Sequence, residues 1–153
     1  VEQALPCKIA IFVAAVADYR VELPGDEKIK KQAGGLSTLS FVENPDILAS
    51  VAQRRDNRPD LVIGFAAETE TVVAHARKKR ARKGCDWIVA NDVGAGTGVM
   101  GGDQNTVHLI TAQGEENWPT MAKDAVAIAL ARRIAQFFDA GFDADFDANS
   151  DAE

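Results

Sequence analysis

The chain has 153 residues, 46% of them hydrophobic and 26% charged, with a formal net charge of −6. That composition suits one ordinary globular domain with a real core and excludes a disordered protein. No apolar run reaches the roughly 18 to 20 residues that span a bilayer, and no basic leader precedes a cleavage site, so a cytoplasmic chain without membrane or nucleic-acid partners is expected.

In chain order, the first apolar run, "IAIFVAAVADY", ends abruptly in polar residues, and "LVIGFAAET" and "WIVAND" repeat the design. Runs apolar on both faces suit strands covered on both sides by helices, as in a parallel sheet. An insertion at about residues 20–43 follows the first run. It contains "DEKIKKQAGG", with Lys28, Lys30 and Lys31 in four positions, and reads as a hairpin flap: a lysine strand, an "AGG" turn and a second strand "LSTLSF". The first helical pattern, "NPDILASVAQR", has Asn44 as N-cap, Pro45 at the first helical position and Ile47, Leu48 and Val51 on one stripe. The second, "ETVVAHARKKRARKG", carries basic residues in its last turns and stops at Gly84. A fourth strand, "NTVHLIT", follows the glycine-rich loop "GAGTGVMGG". A last helix is expected from about Met121 to Phe138, burying Val126, Leu130, Ile134 and Phe137. Residues 139–153 hold six of the chain's 23 acids and none of its 17 bases, so the rest of the chain is balanced and an acidic, mobile tail is expected, with Phe142 and Phe146 as its possible docking residues. The alternation of strands and helices is an α/β layout.

In open parallel sheets, ligands bind at the carboxyl ends of the strands. Here those ends carry Asp18 and Tyr19, then Ala67 and Glu68, then Asn91 and Asp92. Any one of these is an ordinary turn former. Together, beside a lysine flap, they point to an anion-binding crevice. Lys28 and Lys30 share one strand face and supply the point charges a triphosphate needs. The first helix offers backbone amides near Asn44 to Leu48, and Lys79 and Lys83, four apart, share a face of the second helix. Phe65 and Ala66 end a strand where backbone groups could read a base, although a lone Phe is as readily core. There is no P-loop, no G-x-G-x-x-G and no Tyr-x-x-x-Lys pair, which disfavours a complete dinucleotide domain. Cys7 and Cys85 form no C-x-x-C pair, and His75 and His108 are too scattered for a zinc site, so buried reduced thiols are expected.

Six segments, "AAVADYR", "EKIKK", "ENPDIL", "GFAAET", "ARKKRARKGCDWIVAND" and "NTVHLI", occur in this order between about Ile9 and Phe138. Together they closely resemble the C-terminal portion of bacterial phosphopantothenoylcysteine synthetase. The resemblance implies a partial Rossmann-like fold over residues 1–138: an open, mainly parallel sheet with helices on both faces and a β-hairpin flap. It implies a ligase of coenzyme A biosynthesis that joins 4'-phosphopantothenate to L-cysteine through an acyl-cytidylate, using CTP and Mg2+, as a homodimer. Such enzymes are usually fused behind a decarboxylase, to which the FMN belongs. The resemblance assigns Lys28 to formation of the acyl-cytidylate and places Ala14, Ala15, Asp18, Phe65, Lys79 and Lys83 on the nucleotide. Asp46, Ile47, Leu48 and Ala49 lie beside it, and Lys30 and Lys31 cover the intermediate; metal ligands stay unassigned. The family's first strand, glycine-rich turn, phosphate-holding asparagine and Ser-Gly segment are absent here, and the loop "GAGTGVMGG" differs from the family's shorter forms. An incomplete, inactive fragment is therefore expected. A nonenzymatic dimerisation or nucleotide-binding module is the alternative, and an NAD(P)-binding half-domain a disfavoured third.

Overall fold

The computed structural model describes residues 1–23, 39–94 and 102–150, with side chains as far as Ala140. Lys28, Lys30 and Lys31, most of the glycine loop, and residues 151–153 lie outside the described residues. After a 3-10 turn at Glu2–Ala4 come β1 (Ile9–Phe12), β2 (Tyr19–Val21), β3 (Phe41–Glu43) and α1 (Ile47–Ala52). Then follow β4 (Leu61–Glu68), α2 (Val72–Lys83), β5 (Trp87–Asp92), β6 (Gln104–Asn105), β7 (Val107–Ile110), β8 (Glu115–Asn117), β9 (Met121–Ala122) and α3 (Lys123–Ser150).

The main sheet has the order β1-β4-β5-β7-β8. β1, β4 and β5 are parallel, with Ile63 opposite Trp87 and Glu68 opposite Asp92, whereas β7 and β8 run antiparallel. The period of two sorts the side chains. Val62, Ala66, Ile88, Ala90 and Ile110 face α1 and α2, and Leu61, Ile63, Trp87, Val89, Val107 and Leu109 face Val126 and Leu130 of α3. That is the expected arrangement, an open, mainly parallel α/β sheet with helices on both faces. Gly64 lets α1 approach β4, because a Cβ there would lie 2.5 Å from Leu48 Cδ2 and 3.0 Å from Ile88 Cδ1.

Several sequence expectations are corrected. The first strand ends at Phe12, well before Asp18, and is not covered on both sides: Ala10 and Phe12 pack on the core, whereas Ile9 and Ile11, and Val13 just beyond, lie on a face that no described helix covers and are exposed. Asp46, not Asn44, caps α1, its carboxylate accepting from Ala49 N at 3.0 Å. Asn44 is held elsewhere, donating to Ala17 O at 2.7 Å and accepting from Arg20 at 3.1 Å. The last helix does not stop at Phe138 but continues to Ser150 through most of the segment read as a tail. Ala and Asp alternate there without proline or a β-branched run, and one interior glycine does not end a helix already nucleated. Phe137, expected to be buried, is 36% exposed, but it still packs edge-on against Trp87 at 5.5 Å.

The short strand β8 carried no apolar signal and escaped the sequence reading. It is fastened by charge: Glu115 pairs with Arg77 of α2 at 2.8 Å, and Glu116 with Arg133 of α3 at 2.7 Å. The Arg133 guanidinium also lies over the Trp87 ring, 5.4 Å from its centroid. Charged side chains on this edge discourage pairing with another chain.

Cys85 is 3% exposed, and burial pushes its thiol up to about 11, while Cys7 is only half-buried. At pH 8, iodoacetamide is expected to modify Cys7 in the folded chain and to reach Cys85 only after denaturant is added. Mass-spectrometric mapping that found equal labelling at both would contradict this burial.

Candidate functional site: a cleft at the strand carboxyl ends

An open cleft of about 940 Å³ lies beyond the carboxyl ends of β1 and β4, walled by the β1–β2 loop, the start of α1 and the last turns of α2. Ala14, Asp18 and Phe65 line it, as do Asp46, Ile47 and Leu48 of the α1 entry and Lys79 and Lys83 of α2. Of the residues singled out from sequence, Ala15 and Ala49 do not line the cleft, although Ala49 N holds the Asp46 carboxylate. Phe65 lines the cleft and also packs against the α3-facing core.

The floor is set by strand register and the rim by hydrogen bonds. Asn44 N donates to Asp18 O at 2.8 Å, and with the Asn44 side chain on Ala17 it fixes the β1–β2 loop against the entry to α1. The flap is rooted on the same rim. Tyr19 opposite Glu43 begins the antiparallel β2–β3 stem, and both residues line the cleft, so the insertion leaves and re-enters at its mouth.

Neither helix lysine is an isolated charge. Lys83 is ion-paired and hydrogen-bonded to Asp46, which joins α2 to the capped end of α1. Lys79 Nζ lies 3.8 Å from Glu68 Oε1, and Glu68 Oε2 is 3.5 Å from His75 Nδ1. The carboxylate at the end of β4 therefore faces α2. Asn91 and Asp92 end β5 in register with Ala67 and Glu68 but do not line the cleft, and Asp92 instead accepts from Gly94 N at 2.8 Å.

Burial opposes ionisation of Asp46, but hydrogen bonds from Lys83 and Ala49 N, with the charges of Lys83 and Arg82, outweigh it and hold the carboxyl below its usual range. A depressed carboxyl stabilises the fold above its unfolded pKa, and that contribution disappears as pH falls through the lower folded value. The melting temperature of wild type is therefore expected to exceed that of Asp46→Asn near pH 6, with the gap closing below about pH 4. A gap of equal size at both pH values would show that the cap works without its charge.

Arg82 also lines the cleft and was not singled out from sequence. A signal was available, since 79, 82 and 83 are spaced i, i+3, i+4 on one helical stripe. The lining charges balance, with Asp18, Glu43 and Asp46 against Lys79, Arg82 and Lys83. Among the described residues, no group of three or more His, Cys, Asp or Glu side chains could hold a metal, and no helix is long and apolar enough to cross a membrane.

Residues 1–138 match the model of the DNA/pantothenate metabolism flavoprotein C-terminal domain. The chain is 45% identical over 133 residues to the Coenzyme A biosynthesis bifunctional protein CoaBC of Escherichia coli K12, covering 86% of this chain and 32% of that protein. It is 39% identical over 128 residues to CoaBC of Bacillus subtilis 168, covering 83% and 31%. The chain thus spans about a third of the length of these relatives. Among solved structures, the C-terminal domain of CoaBC matches at 28% identity with a TM-score of 0.63, over 86% of this chain and 55% of that one. A DNA/pantothenate metabolism flavoprotein from Streptococcus pneumoniae shares the fold at 21% identity and a TM-score of 0.65, over 90% and 64%. On the sequence match, the chain belongs to the DNA/pantothenate metabolism flavoprotein C-terminal domain family.

Proposed function

We propose that this chain is the nucleotide-handling part of a CTP-dependent phosphopantothenate–cysteine ligase. The supporting observation is the cleft, which gathers at one sheet edge the positions resembling the family's CTP contacts: Asp18, Asp46, Phe65, Lys79 and Lys83. In the proposed reaction, a carboxylate oxygen of 4'-phosphopantothenate attacks the α-phosphorus of CTP and pyrophosphate leaves. The L-cysteine amine then attacks the activated carbonyl, forms the amide, gives up a proton and expels CMP. The role of the basic α2 wall is to hold the phosphates in place while negative charge shifts onto the leaving pyrophosphate. Asp18, near the mouth, suits the hydroxyl and amino donors of a nucleoside.

Mg2+ is proposed to arrive with the triphosphate, which suits an ion that keeps waters and takes one or two carboxylates besides phosphate oxygens. Cleft-lining Asp18 and Asp46 are the nearest such groups in kind, although Asp46 is already engaged by Lys83. FMN is assigned to the fused decarboxylase part of such bifunctional enzymes and not to this chain. A homodimer is proposed, with the exposed hairpin stem, Tyr19, Leu39 and Phe41, as the contact surface.

Further, we propose that this chain by itself does not complete the cycle. It covers 55% of the solved domain, and β1 leaves an apolar edge uncovered. The test is twofold. Calorimetric titration should show CTP binding to this chain, and assays with CTP, Mg2+, phosphopantothenate and cysteine should yield CMP only when the preceding segment of a relative is added. Absence of CTP binding would overturn the nucleotide assignment, and sustained CMP formation by the chain alone would overturn its incompleteness. Binding without turnover in the presence of the added segment would favour a nonenzymatic nucleotide-binding module.

A further inference from the structure

We propose that Arg82 is a specificity-determining residue of the cleft, gripping the outer phosphates of the nucleotide and so separating triphosphate from monophosphate; this rests on the CTP reading above. The α2 wall carries three cations and no carboxylate, because the helix from Val72 to Lys83 contains no acid. Two of the three are committed. Lys83 serves the Asp46 cap, and Lys79 faces Glu68. Among the described residues, the exposed Arg82, which lines the cleft, has no hydrogen-bond or ion-pair partner for its guanidinium, whose charge reaches Asp46 only at longer range.

The helix end does not draw the guanidinium back. Carbonyls in a last turn normally attract basic side chains, but Gln53 Nε2 donates to Arg82 O and Lys83 O, both at 3.3 Å. Gly84, at φ 72°, closes the helix with its N–H on Arg80 O at 2.9 Å. The backbone beneath Arg82 is thereby fixed while its side chain stays available. A guanidinium presents paired N–H donors that match two phosphate oxygens, which an ammonium cannot do. Of the lining carboxylates, Asp18 and Glu43 come from the loop after β1 and the hairpin stem and are not on this wall, and the third, Asp46, meets it only where Lys83 already neutralises it. The phosphate end of a ligand is accordingly placed against α2.

The experiment is calorimetric titration of the 153-residue chain and its Arg82→Gln, Arg82→Lys and Lys79→Gln variants with CTP, CMP and 4'-phosphopantothenate. Arg82→Gln is expected to weaken CTP about tenfold and CMP less than about twofold, with Arg82→Lys between wild type and Arg82→Gln for CTP. Its exposed side chain should leave the melting temperature unchanged. Wild-type CTP affinity in Arg82→Gln, with Lys79→Gln weakened, would overturn the proposal and leave the CTP reading intact. Equal losses for CTP and CMP would also overturn it, as would a loss confined to phosphopantothenate, which would assign Arg82 to the other phosphate. Weakened CTP in Arg82→Gln with Lys79→Gln unaffected would support Arg82 and remove Lys79. If wild type binds no CTP, the functional reading fails and this proposal falls with it.

Discussion

Asp86→Ala is expected to lower the unfolding free energy by about 2 to 4 kcal/mol, a large share of what a domain of this size has. The reason is where the carboxylate sits, just before β5 at the sheet edge remote from the cleft. It accepts from Val62 N at 2.7 Å, while Asp86 N donates to Val62 O at 3.0 Å, locking β4 to β5 at their start. Both of its oxygens also accept from Arg58 Nη2, at 3.0 and 2.9 Å. Arg58 in turn donates to Ala52 O at 2.7 Å and Pro59 O at 2.8 Å, and Arg80 Nε reaches Asp86 O at 2.7 Å. Asp86, through its carboxylate, its backbone and the Arg58 it holds, thus joins the end of α1, two strands and α2.

A surface ion pair is worth about 0 to 1 kcal/mol, and partial exposure of this pair, 27% and 32%, limits its Coulombic share. The cost of losing the carboxylate comes mainly from stranding Val62 N–H, in a residue with no exposed surface, and a guanidinium already turned inward. Asp86→Asn keeps an acceptor for Val62 and should lose only about half as much. Urea unfolding with an unchanged m-value would supply the comparison. Two variants both within about 0.5 kcal/mol of wild type would mean that the network contributes packing alone.

What the sequence discloses follows how local the cause is. The runs 61–68 and 87–92 are apolar on both faces because helices cover both, and that is visible without a structure. Gly84 and the basic last turns end α2 by local rules, and that end is also correct. The failures have non-local causes. "IAIFVAAVADY" has the same texture as the buried runs, but its strand stops at Phe12 because the chain turns there toward the hairpin stem, a choice made by Asn44 and Ala17 across 27 residues. Asn44 has better capping chemistry than its surroundings suggest, yet that same contact takes it away from the helix and leaves the cap to Asp46. β8 is invisible to hydrophobic pattern because Arg77 and Arg133 hold it by charge. At the site, Asp18, Phe65, Lys79 and Lys83 were legible as cleft positions from the strand ends and the i, i+4 spacing, and the resemblance pointed to the same four. The pairing of each lysine with a carboxylate was not, since Asp46 lies 37 residues from Lys83.

In a complete synthetase carrying this segment, Lys28→Gln is expected to suppress pyrophosphate release by about 3 to 4 kcal/mol, roughly two to three orders of magnitude in rate, while the fold persists. The charge of the cleft motivates this. Its described lining balances three carboxylates against three cations, and two of those cations are engaged by carboxylates before any ligand arrives. Such a surface has no surplus with which to gather a triphosphate and a phosphorylated acid at once. The insertion rooted at Tyr19 and Glu43 brings further cations, Lys28, Lys30 and Lys31 packed into four positions, although Glu22, Asp26 and Glu27 match them in number. Lys28 lies outside the described residues, so its assignment to the reacting phosphate rests on the resemblance, and its neighbours supply a control. Lys31→Gln should weaken binding modestly and more so at low salt, as expected for a screened charge that acts through the field rather than by contact. Single-turnover release of pyrophosphate at saturating CTP separates the two effects, because a residue that acts only in binding is rescued by saturation and one that acts on the transition state is not. Normal release by Lys28→Gln at saturating CTP would remove it from the chemistry and leave the insertion as an electrostatic collar.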